Sequence, residues 1–164
     1  MAGKWTSSED QLRPDPKFND KVFSKFVNCV MYDGKKAVAQ RVMYDAMDII
    51  QERLGKETSP EAPKTALELF QRAIENVKPF VEVRSKRIGG ANYQVPMQVN
   101  RRRQQSLAFR WIIDSSRGEK GRPISQRIAD ELYAAARGEG KAMQTRDQVH
   151  RMAEANKAFA HFAN

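Results

Sequence analysis

Between Pro79 and Arg103 the chain carries six cations, Arg84, Lys86, Arg87, Arg101, Arg102 and Arg103, against one acid, Glu82, with Tyr93 among them. At that density Arg and Lys can grip phosphates, donating to their oxygens and releasing counterions from a polyanion. The competing reading is a solvated ribbon, since surface strands also carry Lys and Arg to protect their edges. Catalytic chemistry finds no footing elsewhere. No nucleophile sits beside a base, and Gly89-Gly90 lacks the strand-to-helix setting of a nucleotide fingerprint. Cys29 is one more residue of an expected helix and reads as a buried or half-buried thiol. Together with two distant histidines it has no metal-ligand spacing. No metal, cofactor or enzymatic activity is expected.

The segment that carries these cations is the only one that reads as β. Val81, Val83 and Ser85 alternate with Glu82, Arg84 and Lys86, and Tyr93, Val95, Met97 and Val99 alternate with Asn92, Gln94, Pro96 and Gln98. The two runs flank Gly89-Gly90 and predict a hairpin over residues 80–100. A two-residue loop would oppose Val83 to Pro96 and Val81 to Gln98, mixing apolar with polar positions, so a three- or five-residue loop is expected. Val81, Val83, Val95 and Met97 should then share one face lying on helices, because a lone two-stranded ribbon is marginal in water.

Helical spacing fits nearly all the rest. A first helix from Asn19 or Asp20 uses Val22, Phe23, Phe26, Val27, Val30 and Met31 and stops at Asp33-Gly34; a second, Lys35 to Leu54, turns Val38, Val42, Ala46, Ile49 and Ile50 inward and stops at Gly55. Lys35 and Lys36 at its start oppose the helix dipole, a hint of a phosphate between them. A third helix, starting near Thr58 or Ser59 with Pro60, holds Leu67, Phe70, Ile74 and Val77. A fourth opens at Arg101 and buries Leu107, Ala108, Trp111 and Ile112. A fifth carries Ile124, Ile128, Ala129, Leu132 and Ala136. The sixth is expected to start at a capping box, Thr145 with Gln148, and to hold Val149, Met152 and Ala153. The fold class is therefore mainly α, a six-helix domain with one projecting β-hairpin between helices three and four. Residues 1–18, with Pro14 and Pro16, read as an extended N-terminal arm in which Glu9, Asp10 and Asp15 offset Lys4, Arg13 and Lys17; Trp5 there is either a small anchor on a partner or an unremarkable residue. The helical body spans 19–155 and a C-terminal tail 156–164. The hairpin tip, 86–93, and the segment from Lys141 to Phe162 bury little and are expected to serve function rather than hold the fold.

The 164 residues carry a formal net charge of +9 with 40% hydrophobic content, enough for one core and a bias toward polyanions. No apolar window is long enough to span a membrane and no signal peptide opens the chain, so a cytoplasmic protein without membrane partners is expected. One physical reading of such a chain is an architectural or regulatory protein acting on DNA or mRNA, since a basic helical body with a β-arm suits that role. A pure protein scaffold would show little salt dependence.

The strings Pro14-Asp-Pro-Lys-Phe18, Asp33-Gly-Lys-Lys36, Arg87-Ile-Gly-Gly-Ala-Asn-Tyr-Gln-Val-Pro96 and His150-Arg-Met-Ala-Glu-Ala-Asn-Lys-Ala-Phe-Ala-His161 closely resemble the bacterial small-subunit ribosomal protein seven family, in the expected order along nearly the whole chain. The resemblance implies a six-helix fold with a projecting hairpin, binding to the 3′ major domain of small-subunit ribosomal RNA, nucleation of the head, and a place near the tRNA exit site. It also implies contacts with ribosomal proteins nine and eleven, and with exit-site tRNA and nearby mRNA. Set on those terms, the rRNA-binding candidates are Lys17, Lys35, Lys36, Arg84, Arg101, Arg102, Arg103, Arg110, Arg117, Lys120 and Arg122. The exit-site candidates are Lys86, Arg87, Gly89, Gly90, Tyr93, Lys141, Arg146, His150 and Arg151. Two stretches depart from the family pattern: the N-terminal arm is less basic than usual, and the loop around 55–65 is longer and richer in proline. Recognition is expected to run mainly through phosphates and shape, because A-form RNA hides its base edges in a narrow major groove.

Overall fold

The structure, a computed structural model, describes residues 11–57 and 62–163, so Lys4, Trp5, Glu9 and Asp10, and the expected helix start at Thr58 to Pro60, lie outside it. Helix α1, Lys21–Val30, begins where Asp20 accepts from the Phe23 amide at 2.6 Å. Its apolar stripe buries Phe23, Phe26, Val27 and Val30 as the spacing predicts. Helix α2, Lys36–Lys56, follows a short turn at Asp33 and Gly34, both with positive φ. It runs past Leu54: Gly55 lies inside the helix and does not stop it. The inward line is Ala39, Met43, Ala46, Met47, Ile50 and Leu54, one residue round from the predicted stripe, and Val38 is 56% exposed. The small Ala39 and Ala46 admit close neighbours while the unbranched Met43 and Met47 fill the gaps, a fit that valine preference does not foresee.

Helix α3, Ala66–Val77, is capped by Thr65, whose hydroxyl accepts from the Glu68 amide at 3.2 Å, while the Glu68 carboxylate accepts from the Lys64 amide at 2.8 Å. Helices α4, Arg101–Gly118, and α5, Ile124–Ala136, complete the core around Phe109, Ile112, Ile128 and Leu132. Phe109 is core and Trp111 is only half-buried at its margin, which moves the aromatic anchor of α4 two residues back from the expected one.

Strands β1, Val81–Ile88, and β2, Ala91–Gln98, form the hairpin between α3 and α4, and its register corrects the expectation. Ile88 pairs with Ala91, so the loop is the two residues Gly89-Gly90, both with positive φ. Val83 does oppose Pro96 and Val81 does oppose Gln98. Turn chemistry decided: two glycines adopt a type I′ turn without steric cost, and that turn sets the pairing. The argument from one apolar face fails because directly paired residues share a face, which puts Met97 with Glu82 and Val95 with Arg84. Glu82, only 7% exposed, is tolerated there because Arg84 bonds it and Arg103 Nε lies 3.0 Å from its Oε2.

Helix α6, Lys141–Ala155, starts a turn earlier than the capping box suggests. Thr145 lies inside it and donates back to the Lys141 carbonyl at 2.9 Å. The cap comes from another helix: Glu131 of α5 is 8% exposed and accepts from the Ala142 amide at 2.7 Å. Gly140 has φ +96°, and a Cβ there would stand 3.0 Å from the Glu131 carboxylate and 3.1 Å from the Ala134 methyl, so only glycine makes this joint. Ala142, Met143 and Ala153 are the buried residues of α6, while Met152 is exposed. Residues 157–163 form a 3₁₀ helix whose Phe159 and Phe162 pack on Tyr93, with ring centroids 5.2 and 5.4 Å away. Hairpin tip and C-terminal segment therefore order each other.

Asp15 is also structural rather than a diluting charge. It is 3% exposed, its carboxylate accepts from the Lys17 and Phe18 amides at 2.9 and 3.2 Å and from the Tyr44 hydroxyl at 2.9 Å, and Phe18 lies 4.8 Å from the Phe23 ring. Burial, then the bond to Asp15, pushes the Tyr44 phenol up. Asp15→Ala should strand these donors and lower the unfolding free energy by about 1–3 kcal/mol in urea titration, with Asp15→Asn losing less; an unchanged midpoint would mean that the turn is not docked in solution.

Candidate nucleic-acid interface

The predicted cations divide into two groups once their neighbours are known. At the α4–α5 corner Arg122 bridges Glu119 at 3.0 Å and Asp130 at 2.6 Å, Lys141 meets Glu119 at 2.9 Å, and Arg53 meets Asp130 at 2.6 Å. Lys141 and then Arg122 hold the Glu119 carboxyl below the usual range. At the end of α2, Tyr133 and Arg137 both bond Glu57, whose carboxyl is held low by those bonds. This side of the molecule is self-neutralised, so Arg122 and Lys141 are occupied by intramolecular acids.

Other predicted residues are likewise engaged. Lys17 Nζ lies 2.9 Å from Asp48 and over the Phe18 and Tyr44 rings. Arg103 and Arg84 share Glu82, and Arg146 donates to the Asn76 carbonyl at 2.6 Å and to Asp147, fixing α6 to the end of α3. Lys86 donates to the Phe162 carbonyl at 2.7 Å, and both phenyl rings beside Tyr93 occupy the surface on which a base would stack. Gly89 and Gly90 are exposed at the tip with Arg87.

The second group has no acidic partner among the described residues: Lys35, Lys36, Arg87, Arg101, Arg110, Lys120 and Arg151, all exposed. Sequence reading also passed over two basic residues of α1, Lys21 and Lys25, whose four-residue spacing was the available signal. They line a shallow depression with Leu12, Val22 and Gln105, and Gln105 also borders the next depression, formed by Arg101, Arg102, Lys78, Glu75 and Gln104. Lys78 is bonded to Glu75. The N-terminal halves of α1 and α4 thus present a continuous basic surface, with the hairpin rising directly from α4. Cys29 is on the exposed side of α1, against the buried reading; partial desolvation pushes its thiol up, which is the opposite of an activated thiolate.

No cluster of metal-binding side chains occurs among the described residues, and no described helix is long and apolar enough to cross a membrane. Fold and surface define a helical basic protein with a β-arm, suited to a polyanion, whose cations are spread over its outer faces. Residues 3–157 match the family model of ribosomal protein S7p/S5e. The chain is 56% identical to small ribosomal subunit protein uS7 of Rhodopirellula baltica over 161 residues, covering 98% of this chain and 99% of that protein. It is 51% identical to uS7 of Salinibacter ruber over 92% of this chain and 91% of that one, and 48% identical to uS7 of Thermotoga maritima over 93% of each. The chain belongs to the ribosomal protein S7p/S5e family and is a structural protein, not an enzyme.

The contact between α6 and the hairpin base gives a test of the geometry. His150 Nε2 accepts from the Phe80 amide at 3.2 Å, and its ring stacks on Phe80 with centroids 6.0 Å apart. Burial, then the charge of Arg146, depresses its pKa, with Asp147 opposing. Because the folded state holds the proton less tightly, the contribution of this residue is full above the ordinary value of about 6.5 and is lost as pH falls through and below it. Urea midpoints should drop in that window for the wild type and flatten in His150→Gln; equal slopes would place His150 in solvent.

Proposed function

We propose that this protein binds small-subunit ribosomal RNA through the surface formed by α1, the start of α4 and the hairpin, and so acts as a primary assembly protein of the small-subunit head. The observation that carries the reading is the grouping of Lys21, Lys25, Arg101 and Arg102 around Gln105, in two adjoining depressions whose described lining includes one acid, Glu75. Cations on rigid helices lose little entropy on docking and release counterions when they meet phosphates. The target is the 3′ major domain, in the cytoplasm, and the protein meets ribosomal proteins nine and eleven there. Arg87, Gly89 and Gly90 at the tip and Arg151 on α6 face the exit-site tRNA and nearby mRNA.

Affinity for transcribed small-subunit RNA should then fall steeply with salt. If about six to ten phosphates are engaged, roughly three to five decades are lost between about 50 and 200 mM, taking the duplex slope as an upper guide. A near-flat titration, or equal preference for duplex DNA at one salt concentration, would sink the reading.

The basic surface should outweigh the arm. Lys21, Lys25, Arg101 and Arg102 replaced together by Ala should reduce the logarithmic salt slope by about three, while deletion of residues 2–13 costs less. A larger loss from the deletion would relocate the principal contact to the N-terminus.

A further inference from the structure

The turn between α1 and α2 and the adjoining faces of α4 and α5 enclose a cleft of about 290 Å³ that the basic surface does not include. Val30, Val42, Ile113 and Ile128 form its floor, and the exposed side chains Tyr32, Lys35 and Arg117 complete it. Tyr32 is 71% exposed, which is unusual for an aromatic residue beside an apolar cavity. Arg117 is held in place by its bond to the Val30 carbonyl at 3.1 Å, and its guanidinium carbon stands 5.7 Å from the centre of the Tyr32 ring.

We propose that this cleft receives one unstacked nucleobase of the bound RNA, with Tyr32 against the base and Lys35 and Arg117 against the flanking phosphates. The inference rests on the RNA-binding reading given above and assigns it a second point of attachment. Three features favour a base over a partner protein. The lining includes two cations and no acid, which complements a phosphate backbone. The cleft is a single compact recess, whereas an amphipathic helix needs a groove with anchors at i, i+3, i+4 and i+7. Finally, an exposed phenol with a guanidinium over its face offers the stacking and cation–π surface on which splayed RNA bases rest. Tyr93, the aromatic at the hairpin tip, is covered by Phe159 and Phe162.

The test compares full-length wild type with Tyr32→Phe, Tyr32→Ala, Val38→Glu and Lys35→Ala on transcribed small-subunit RNA at several salt concentrations, together with chemical probing of Watson–Crick edges. Tyr32→Ala should lose about tenfold or more in affinity with an unchanged salt slope, because stacking and no phosphate contact is removed. Tyr32→Phe should bind as wild type, Val38→Glu should weaken binding, and Lys35→Ala should lower the slope by about one. One base protected by wild type should become reactive in the Tyr32→Ala complex. If thermal melting shows that Tyr32→Ala is damaged, Tyr32→Leu, which keeps apolar bulk without a π face, decides instead. Wild-type affinity and protections in both Tyr32→Ala and Val38→Glu would overturn the proposal while leaving the RNA-binding reading intact, and that result would make the cleft a site for a partner protein. Failure of wild type itself to bind the RNA would remove both.

Discussion

A run of edge-to-face aromatic contacts holds the working surfaces in one body. Phe23 meets Phe70 with centroids 5.4 Å apart, Phe70 meets Phe26 at 5.3 Å, and Phe26 meets Phe109 at 5.0 Å, with interplanar angles of 73° to 84°. Each such pair contributes about 0.5–1.5 kcal/mol beyond burial and has a preferred geometry that aliphatic packing lacks. The run ties α1 to α3 and α1 to α4, and α1 and α4 carry Lys21, Lys25, Arg101 and Arg102. Phe18 extends it to the N-terminal turn, with its ring 4.8 Å from that of Phe23.

A protein with a net charge of +9 must keep its cations apart or neutralise them. This chain does each on a different side. Glu57, Glu119 and Asp130 gather four cations at the α2–α5–α6 corner, where exposed pairs contribute little stability individually but leave that side electrically quiet. The α1–α4 side sets Lys21, Lys25, Arg101 and Arg102 on rigid helices around depressions whose described lining includes one acid, Glu75. Such a division directs a polyanion to one face. It also explains why a count of Arg and Lys could nominate candidates but could not rank them: Arg122, Lys141 and Arg146 look like Arg110 and Arg151 in sequence and differ only in the neighbours the fold supplies.

The helices and the hairpin were legible because their signals are local. The Asp20 cap, the α1 stripe and the Gly89-Gly90 turn each sit within a few residues of what they specify. What failed were inferences needing a distant partner. The α6 cap is Glu131, from a different helix, and Thr145 lost to it although its own spacing was correct. The exposed Val38 and the inward Met43 follow from how α2 meets its neighbours. Asp15 was read as charge dilution, and only the proximity of Tyr44, twenty-nine residues on, turns it into an anchor. In the hairpin the right turn residues were in view, but the choice between turn chemistry and face segregation depended on Arg103 being able to neutralise a buried Glu82.

The mutual packing of the hairpin tip and the C-terminal segment changes what either can do. Tyr93, Phe159 and Phe162 form a small aromatic cluster outside the main core, and Lys86 closes it by bonding the Phe162 carbonyl. Neither element has enough apolar surface to stay ordered by itself, since an isolated two-stranded ribbon and a single 3₁₀ segment are both marginal. Together they make a semi-independent unit whose opening costs far less than global unfolding. A contact that requires Tyr93 or Lys86 must therefore displace the C-terminal segment first, whereas Arg87 and the glycine turn are available without any rearrangement. The rigid α1–α4 surface suits a permanent attachment and the tip–tail unit suits a transient one, because only the second can exchange partners without disturbing the core.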